Sequence, residues 1–248
     1  DEALLDGRLE AAVVAATLVG SRGDELGAPV AGRLWTSRGC RPLLYLNRAK
    51  ETVEALPEAG QLAGVAPEQP RPVPFERSRG ALALAYLGRS DEARAAMNEL
   101  FAELMVASEE HVLTPLAGVT LLETAVLLKD REAAALLASR LRPVAGLAYG
   151  GLALTCVARH LGAAAALLGD GEAARAYYAQ ALEIAGKIRF RPEIALTHLG
   201  LAELLLASYA DERAEALDHL DFAIAEFREM KMQPSLERAL RHKDVLKA

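Results

Sequence analysis

The chain has 248 residues, of which 52% are apolar, 25% charged and 5% aromatic, and its formal net charge is −6. The acidic balance argues against direct nucleic-acid binding, which needs a basic face. The two cysteines, Cys40 and Cys156, form no CxxC pair, so a reducing cytoplasm fits better than a disulfide framework or a zinc site. The longest uncharged segment, Pro143 to Ala158, is too short and too rich in glycine to span a bilayer.

A short motif recurs about every forty residues: the end of one helix, a turn, and then Glu-Ala or a close variant. The equivalent turn positions are Gly7, Asn47, Gly88, Lys129, Gly169 and Asp211, at spacings of 40, 41, 41, 40 and 42 residues. A fixed period of this length is typical of stacked helix pairs, each of which packs on its neighbours. We call the helix before each turn A and the helix after it B.

The predicted elements begin with a B helix at 9–21, an A helix at 25–46 that is interrupted near Gly39–Pro42, a B helix at 48–56 and a Pro-rich segment at 57–74. After this segment, A helices near 75–87, 110–128, 151–168 and 190–208 alternate with B helices near 90–107, 130–141, 171–187 and 212–229, and a last helix follows at 234–246. Gly or Asn at an A–B turn suits a left-handed residue that ends helix A. Asp91 and Asp170 are expected to cap the B helices that follow them.

The Pro-rich segment contains four prolines within eight residues, a composition that cannot continue a helix. It is either a surface loop that replaces part of an A helix or a docking segment for a partner.

These patterns predict an all-α fold: a right-handed superhelical solenoid of about five and a half antiparallel helix pairs, with repeats of about 40–42 residues. The polar last helix would cap the array, because nothing stacks on its outer side. The chain begins inside a repeat. We therefore expect a single repeat domain over residues 1–248 that is the C-terminal fragment of a longer protein.

Each B helix carries a small residue, then a residue four positions later and another three beyond it, all on one helix face. The copies are Ala93/Met97/Leu100, Ala134/Ala138/Leu141, Ala174/Tyr178/Ala181 and Ala216/Leu220/Ala223. This pattern resembles the tetratricopeptide repeat. Its best copy is Leu161, Gly162, Gly169, Ala174, Tyr178 and Ala181, although Ala165 stands where the consensus prefers an aromatic and the period exceeds the usual thirty-four residues.

Long, degenerate repeats of this kind are similar to the C-terminal arrays of bacterial signalling ATPases. In those proteins the array follows a regulatory ATPase module coupled to an adenylate/guanylate cyclase or to a LuxR/MalT-type transcription activator. An Arg-Pro turn at Arg191-Pro192 and the triplet Glu212-Arg213-Ala214 strengthen the likeness. The resemblance implies a non-catalytic scaffold for protein–protein contact or regulation. An effector-sensing domain that controls an upstream ATPase, cyclase or DNA-binding module is the alternative.

Motifs for chemistry are missing from the sequence: there is no phosphate loop, GxGxxG, HExxH or GxSxG. The five histidines are His111, His160, His198, His219 and His242, and they show no ligand spacing. Cys156 and His160 have the spacing of a dyad, but no third group orients the histidine. We therefore expect no catalytic residue, no cofactor and no metal in this chain, although a parent protein could carry an ATPase or cyclase module.

In tetratricopeptide arrays the A helices line the concave groove. Carried over by register, the candidate groove residues are Arg38, Arg41, Tyr45, Arg79, Tyr86, Glu123 and Arg159. Long charged side chains and tyrosines on such a wall suit a protein or peptide partner, another domain of the same chain, or a small-molecule effector. Alternatively, they solvate an exposed face. The basic cluster Lys187, Arg189 and Arg191 either complements a helix C-terminus or contacts a phosphate or a partner.

Overall fold

The computed structural model describes residues 2–25, 38–55, 74–106, 115–149 and 155–247. Its helices are α1 (Glu2–Leu5), α2 (Leu9–Glu25), α3 (38–45), α4 (Ala49–Ala55), α5 (Pro74–Tyr86), α6 (Ser90–Val106), α7 (Pro115–Leu127), α8 (Arg131–Leu141), α9 (Val157–Leu168), α10 (Gly171–Lys187), α11 (Arg191–Ser208), α12 (Arg213–Met230) and α13 (Gln233–Lys247). Short 3-10 turns cover Arg142–Val144 and Ala210–Glu212, and β1 (Ala148–Tyr149) pairs antiparallel with β2 (Thr155–Cys156).

The described chain is helical apart from this two-residue ribbon, which confirms the all-α prediction. The predicted A helix at 151–168 starts instead at Val157, because the residues before it pair in the ribbon. Residues 38–45 form continuous helix through Gly39–Pro42, so the interruption predicted there is wrong. Of the predicted Pro-rich segment, only Pro74 lies within the described residues; it is the first residue of α5, where a helix tolerates proline.

Five of the six predicted turn positions share one backbone geometry. Gly7, Asn47, Gly88, Lys129 and Gly169 have φ values of 75°, 64°, 73°, 54° and 88°. In each turn, this residue's amide bonds to the carbonyl three residues back, and the next amide bonds to the carbonyl five residues back. These paired bonds form a Schellman motif, which satisfies carbonyls at the end of an A helix.

The sixth predicted turn position, Asp211, lies between α11 and α12 as expected, but its backbone geometry differs because it is part of the 3-10 turn before α12. The left-handed residues near this end of the chain are Arg189 and Lys231, which follow α10 and α12. Asp170 caps α10 as predicted, accepting a hydrogen bond of 3.0 Å from the Ala173 amide. Asp91 lies inside the first turn of α6 instead of preceding it.

The helices pack largely in chain order, and alternate helices also touch. Contacts join α5 to α7, α7 to α9, and α9 to α11, while α6, α8 and α10 each contact the next helix along the chain. Leu44 of α3 shares a buried cluster with Leu82 of α5. We call α3, α5, α7, α9 and α11 the A-row.

Tyr178 of α10 fills the space left by two glycines. A Cβ atom at Gly162 of α9 would lie 2.7 Å from Cδ1 of Tyr178, and one at Gly200 of α11 would lie 2.7 Å from its Cζ. No real Cβ approaches this closely, so both helices come near α10 because they lack side chains there.

The first and last parts of the described chain are also in contact. Leu4, Leu9 and Tyr45 share a buried apolar cluster with Phe190 and Phe227. A Cβ atom at Gly7 would overlap the side chain of Met230. Tyr45 of α3, the first helix of the A-row, therefore packs in the same apolar cluster as Phe190, which directly precedes α11, the last helix of the A-row. None of the described helices has the length and apolarity needed to cross a membrane.

Candidate functional site

A buried carboxylate in the first turn of α11 is the centre of a polar network. Glu193 is 0% exposed and accepts five hydrogen bonds. Arg159 donates two of them, from Nε at 2.7 Å and from Nη2 at 3.0 Å. The hydroxyls of Tyr45 and Thr155 donate at 3.1 and 3.0 Å, and the amide of Cys156 donates at 3.1 Å. A carboxylate this far from water needs such partners to remain ionised.

The ribbon explains why three of these donors come from one short segment. Thr155 and Cys156 form β2, and the backbone of Cys156 is extended at φ −93° and ψ 116° just before α9 begins. The amide of Cys156 therefore donates to Glu193, while Arg159 donates from the first turn of α9. A helix extending back over 151–156, as predicted, would not present this amide, because its bond would be directed along the helix axis.

A second buried carboxylate, Glu123 of α7, lies close to polar side chains of three other A-row helices, α3, α5 and α9. Arg41 of α3 donates from Nη1 to its Oε2, and Tyr86 of α5 donates to its Oε1 at 3.0 Å. Oε2 also lies 3.9 Å from Nδ1 of His160 on α9. Each of the five helices in the A-row thus contributes a polar side chain to the network.

His160 links the two carboxylates as a neutral ring. Its Nε2 lies 3.0 Å from Nη2 of Arg159 and 2.6 Å from the hydroxyl of Thr155. A guanidinium only donates, so Nε2 accepts and the ring proton is assigned to Nδ1, on the side of Glu123; the single hydroxyl proton of Thr155 is then shared between Glu193 and Nε2. Burial first, and then the charges of Arg159 and Arg41, hold the pKa of His160 well below its usual range.

The formal charges of the network cancel. Arg41 and Arg159 are positive, Glu123 and Glu193 are negative, and all four side chains are buried. Burial raises the pKa of Glu193, but Arg159, Arg41 and the amide of Cys156 together outweigh burial, and the pKa lies below its usual value. Burial, followed by the nearby carboxylate of Glu193, raises the pKa of Tyr45, which keeps that hydroxyl a hydrogen-bond donor.

Five of the seven residues predicted for a groove meet in this network. They are Arg41, Tyr45, Tyr86, Glu123 and Arg159. The alternative that these five solvate an exposed face is wrong, because each is buried or partly buried. Arg79 of α5 is buried outside the network, and burial lowers its pKa, against the opposing influence of Cys40 and Glu76. Arg38 is exposed.

Sequence reasoning missed three members of the network: Thr155, His160 and Glu193. A signal for Glu193 was present, because it precedes the apolar run Ile194-Ala195-Leu196 at the start of a helix with an apolar face. A carboxylate on such a face is almost never buried unless it is paired. Thr155 gave no comparable signal, since its role depends on the ribbon.

The geometry does not assemble a nucleophilic dyad from Cys156 and His160. The ring nitrogen Nε2 of His160 is engaged by Thr155 and Arg159, as described above. Burial first, and then Glu193, raises the pKa of the Cys156 thiol to about 11, so the thiolate is disfavoured at neutral pH. Within the described ranges, no three His, Cys, Asp or Glu side chains are grouped as metal ligands would be.

Two residues of the basic cluster at the α10–α11 turn, Lys187 and Arg191, make contacts within the chain, and Arg189 between them has an exposed side chain. Lys187 pairs with Glu183 at 2.6 Å along α10. Arg191 donates to both carboxylate oxygens of Glu226, at 3.0 and 3.1 Å, and to the carbonyl of Asp6 at 3.2 Å. Arg191 thus helps hold the start of the chain against α11 and α12.

No family model matches the chain, and neither the curated proteins nor the solved structures contain a match. The likeness to tetratricopeptide repeats therefore depends on the period, the turns and the helix contacts of this chain alone.

Proposed function

We propose that the chain is a tetratricopeptide-like array with a right-handed superhelical course, and that it is a non-catalytic regulatory scaffold. Five Schellman turns at a spacing of 40 or 41 residues support the repeat assignment, as does the packing of Tyr178 between Gly162 and Gly200. Equivalent arginines of α6 and α10 reach the following repeat in the same way. Arg94 pairs with Asp130 at 2.7 Å, and Arg175 pairs with Glu212 at 2.6 Å.

The observation that carries the functional proposal is the charge-neutral network of the A-row. Arginines that would bind an acidic partner are instead held by Glu123 and Glu193 of the same chain. A partner that uses the A-row must therefore compete with these two carboxylates. Such competition gives the array a closed state and an open state, and a ligand shifts the balance only through its different affinity for the two. The role that follows is regulation by protein–protein or intramolecular contact.

The setting that fits this role is a bacterial signal-transduction or transcription-regulatory protein in the cytoplasm. The motifs at Arg191-Pro192 and Glu212-Arg213-Ala214 support that setting by resemblance. In this proposal, the partner is another protein, a peptide, or an upstream ATPase, cyclase or DNA-binding module of the same chain.

The test removes the carboxylates that hold Arg41 and Arg159 and measures the binding of acidic peptides. In a Glu123→Ala/Glu193→Ala chain, a library of fluorescent acidic peptides should bind at least about tenfold more tightly than to wild type, since two buried guanidinium groups lose their carboxylates. The matched control is Glu92→Ala, which removes an exposed carboxylate paired with Arg89. Equal peptide binding by the double variant and the control, with both still helical by circular dichroism, would contradict the proposal.

One observation favours the effector-sensing alternative. The five hydrogen bonds to Glu193 form a carboxylate-binding nest that a ligand carboxylate could occupy if Glu193 were displaced. In a Glu193→Ala chain, added acetate should then raise the melting temperature more than added chloride at equal ionic strength. If a carboxylate metabolite stabilises the wild-type chain and no acidic peptide binds the released array, the effector role replaces the scaffold role.

A further inference from the structure

Two histidines outside the network face each other across α11 and α12. Nδ1 of His198 lies 2.8 Å from Nδ1 of His219, and the ring centroids are 4.9 Å apart at an interplanar angle of 57°. Phe222 packs on His198 with centroids 4.2 Å apart. The two histidines are 21 residues apart in sequence, and only the packing of α11 on α12 brings them together.

We propose that His198 and His219 supply two adjacent ligands to a divalent transition-metal ion, with water in its remaining positions. Neutral imidazole is a preferred ligand for copper, nickel and zinc. The site lies at the protein surface, where an ion can enter: the side chain of His219 is 18% exposed and Phe222 beside it is 41% exposed. His198 belongs to α11 of the A-row, but the site is separate from the buried polar network and does not depend on the function proposed for that network.

The spacing of the two nitrogens indicates the coordination geometry. With metal–nitrogen bonds of about 2.05 Å, ligands at a right angle have their nitrogens about 2.9 Å apart, and tetrahedral ligands about 3.3 Å apart. The observed 2.8 Å is close to the right-angle value, and it is also the length of an ordinary hydrogen bond between the two rings. Square-planar or tetragonal sites of this kind are typical of Cu²⁺ and Ni²⁺, whereas Zn²⁺ would require the rings to separate.

A carboxylate lies near one of the two histidines. Oε1 of Glu215 lies 3.7 Å from Nε2 of His219, on the side of the ring opposite the facing nitrogens. At 3.7 Å the two atoms are beyond hydrogen-bond distance, but a closer approach of this carboxylate would orient the ligating ring and make it a stronger ligand.

The experiment titrates the untagged full chain with Cu²⁺ and records its electron paramagnetic resonance spectrum. We expect one bound copper per chain, with hyperfine splitting from two equivalent nitrogens. His198→Asn and His219→Asn should each weaken binding by more than tenfold and remove the two-nitrogen pattern. Glu215→Gln should weaken binding by about tenfold, since outer-shell carboxylates contribute in this range. The matched control is His242→Asn, which replaces a histidine bonded to Glu203 and should leave copper binding unchanged.

Three results would overturn the site. The first is the absence of stoichiometric copper on the wild-type chain, which would mean that the two rings form only a neutral hydrogen bond. The second is a wild-type spectrum with a single nitrogen ligand. This result contradicts a two-histidine site even if a variant fails to fold. The third is copper binding that survives both histidine replacements.

Discussion

Replacing Glu193 by glutamine tests the network with minimal change of shape. The amide has one acceptor where the carboxylate has two, and its NH₂ group must face one set of donors. Towards Cys156 and the Nε of Arg159 it would meet two N–H groups that cannot turn away. Towards Tyr45 and Thr155 it meets two hydroxyls that can rotate to accept and only one fixed N–H group, from Nη2 of Arg159. We therefore expect the NH₂ group on the hydroxyl side, with the charge of Arg159 left uncompensated.

The magnitude follows from that uncompensated charge. Glu193 is fully buried and Arg159 is 8% exposed, so solvent screens the pair little. Breaking a buried pair by removing one partner lowers the free energy of unfolding by about 3–5 kcal/mol. In a chain of this size each kcal/mol lowers the melting temperature by about 2–4 °C, which gives a decrease of roughly 6–20 °C for Glu193→Gln.

The assay is thermal and urea unfolding followed by circular dichroism. Glu92→Gln, at an exposed pair with Arg89, is the matched control and should leave the melting temperature unchanged. Adding Arg159→Met to Glu193→Gln should restore part of the lost stability, because the double variant leaves no uncompensated charge. A decrease for Glu193→Gln no larger than that of the control would refute the reasoning.

Three further predictions concern packing, turns and pH. Gly162→Ala should lower the free energy of unfolding by about 1–3 kcal/mol in urea titrations, because the new methyl group overlaps Tyr178; an unchanged midpoint would contradict the packing. Lys129→Gly should raise the free energy of unfolding by about 1 kcal/mol and Gly88→Ala should lower it by about as much, since both positions have positive φ. A change of the same sign in both variants would contradict the turn geometry. Because the pKa of His160 is depressed in the folded chain, its contribution to the free energy of unfolding is complete above about pH 6.5 and is lost as the pH falls below that value, with about one proton bound on unfolding. Urea titrations from neutral to mildly acidic pH give the slope of the free energy of unfolding against pH. In His160→Asn this slope should be smaller by about one proton.

The turns could be predicted from sequence because their chemistry is local. Gly88 and Gly169 signal a left-handed residue by themselves, and the period extended that assignment to Asn47 and Lys129, where no glycine is present. Asp211 was assigned by the period alone, and there the local chemistry produced a 3-10 turn instead. Helix bounds were predictable for the same reason, since hydrophobic spacing and caps are short-range features.

The candidate site was predictable only in part, because its contacts are long-range. Register along the A helices identifies which side chains share a row, and this was enough to select Arg41, Tyr45 and Glu123. Register does not show that these side chains bind one another, because Arg41 and Glu123 are 82 positions apart. The contact between His198 and His219 could not be predicted for the same reason. The spacing of ligands along one helix can be recognised in a sequence, whereas the approach of two helices cannot.

The central claim is that the charged side chains of the A-row bind one another, and a double-mutant cycle between Arg41 and Glu123 tests it most directly. The cycle compares unfolding free energies of wild type, Arg41→Met, Glu123→Gln and the double variant. Their buried contact across 82 residues predicts a coupling of at least about 1.5 kcal/mol, the lower value for a hydrogen bond between charged groups. Additive effects of the two replacements, with no coupling beyond about 0.5 kcal/mol, would contradict the account.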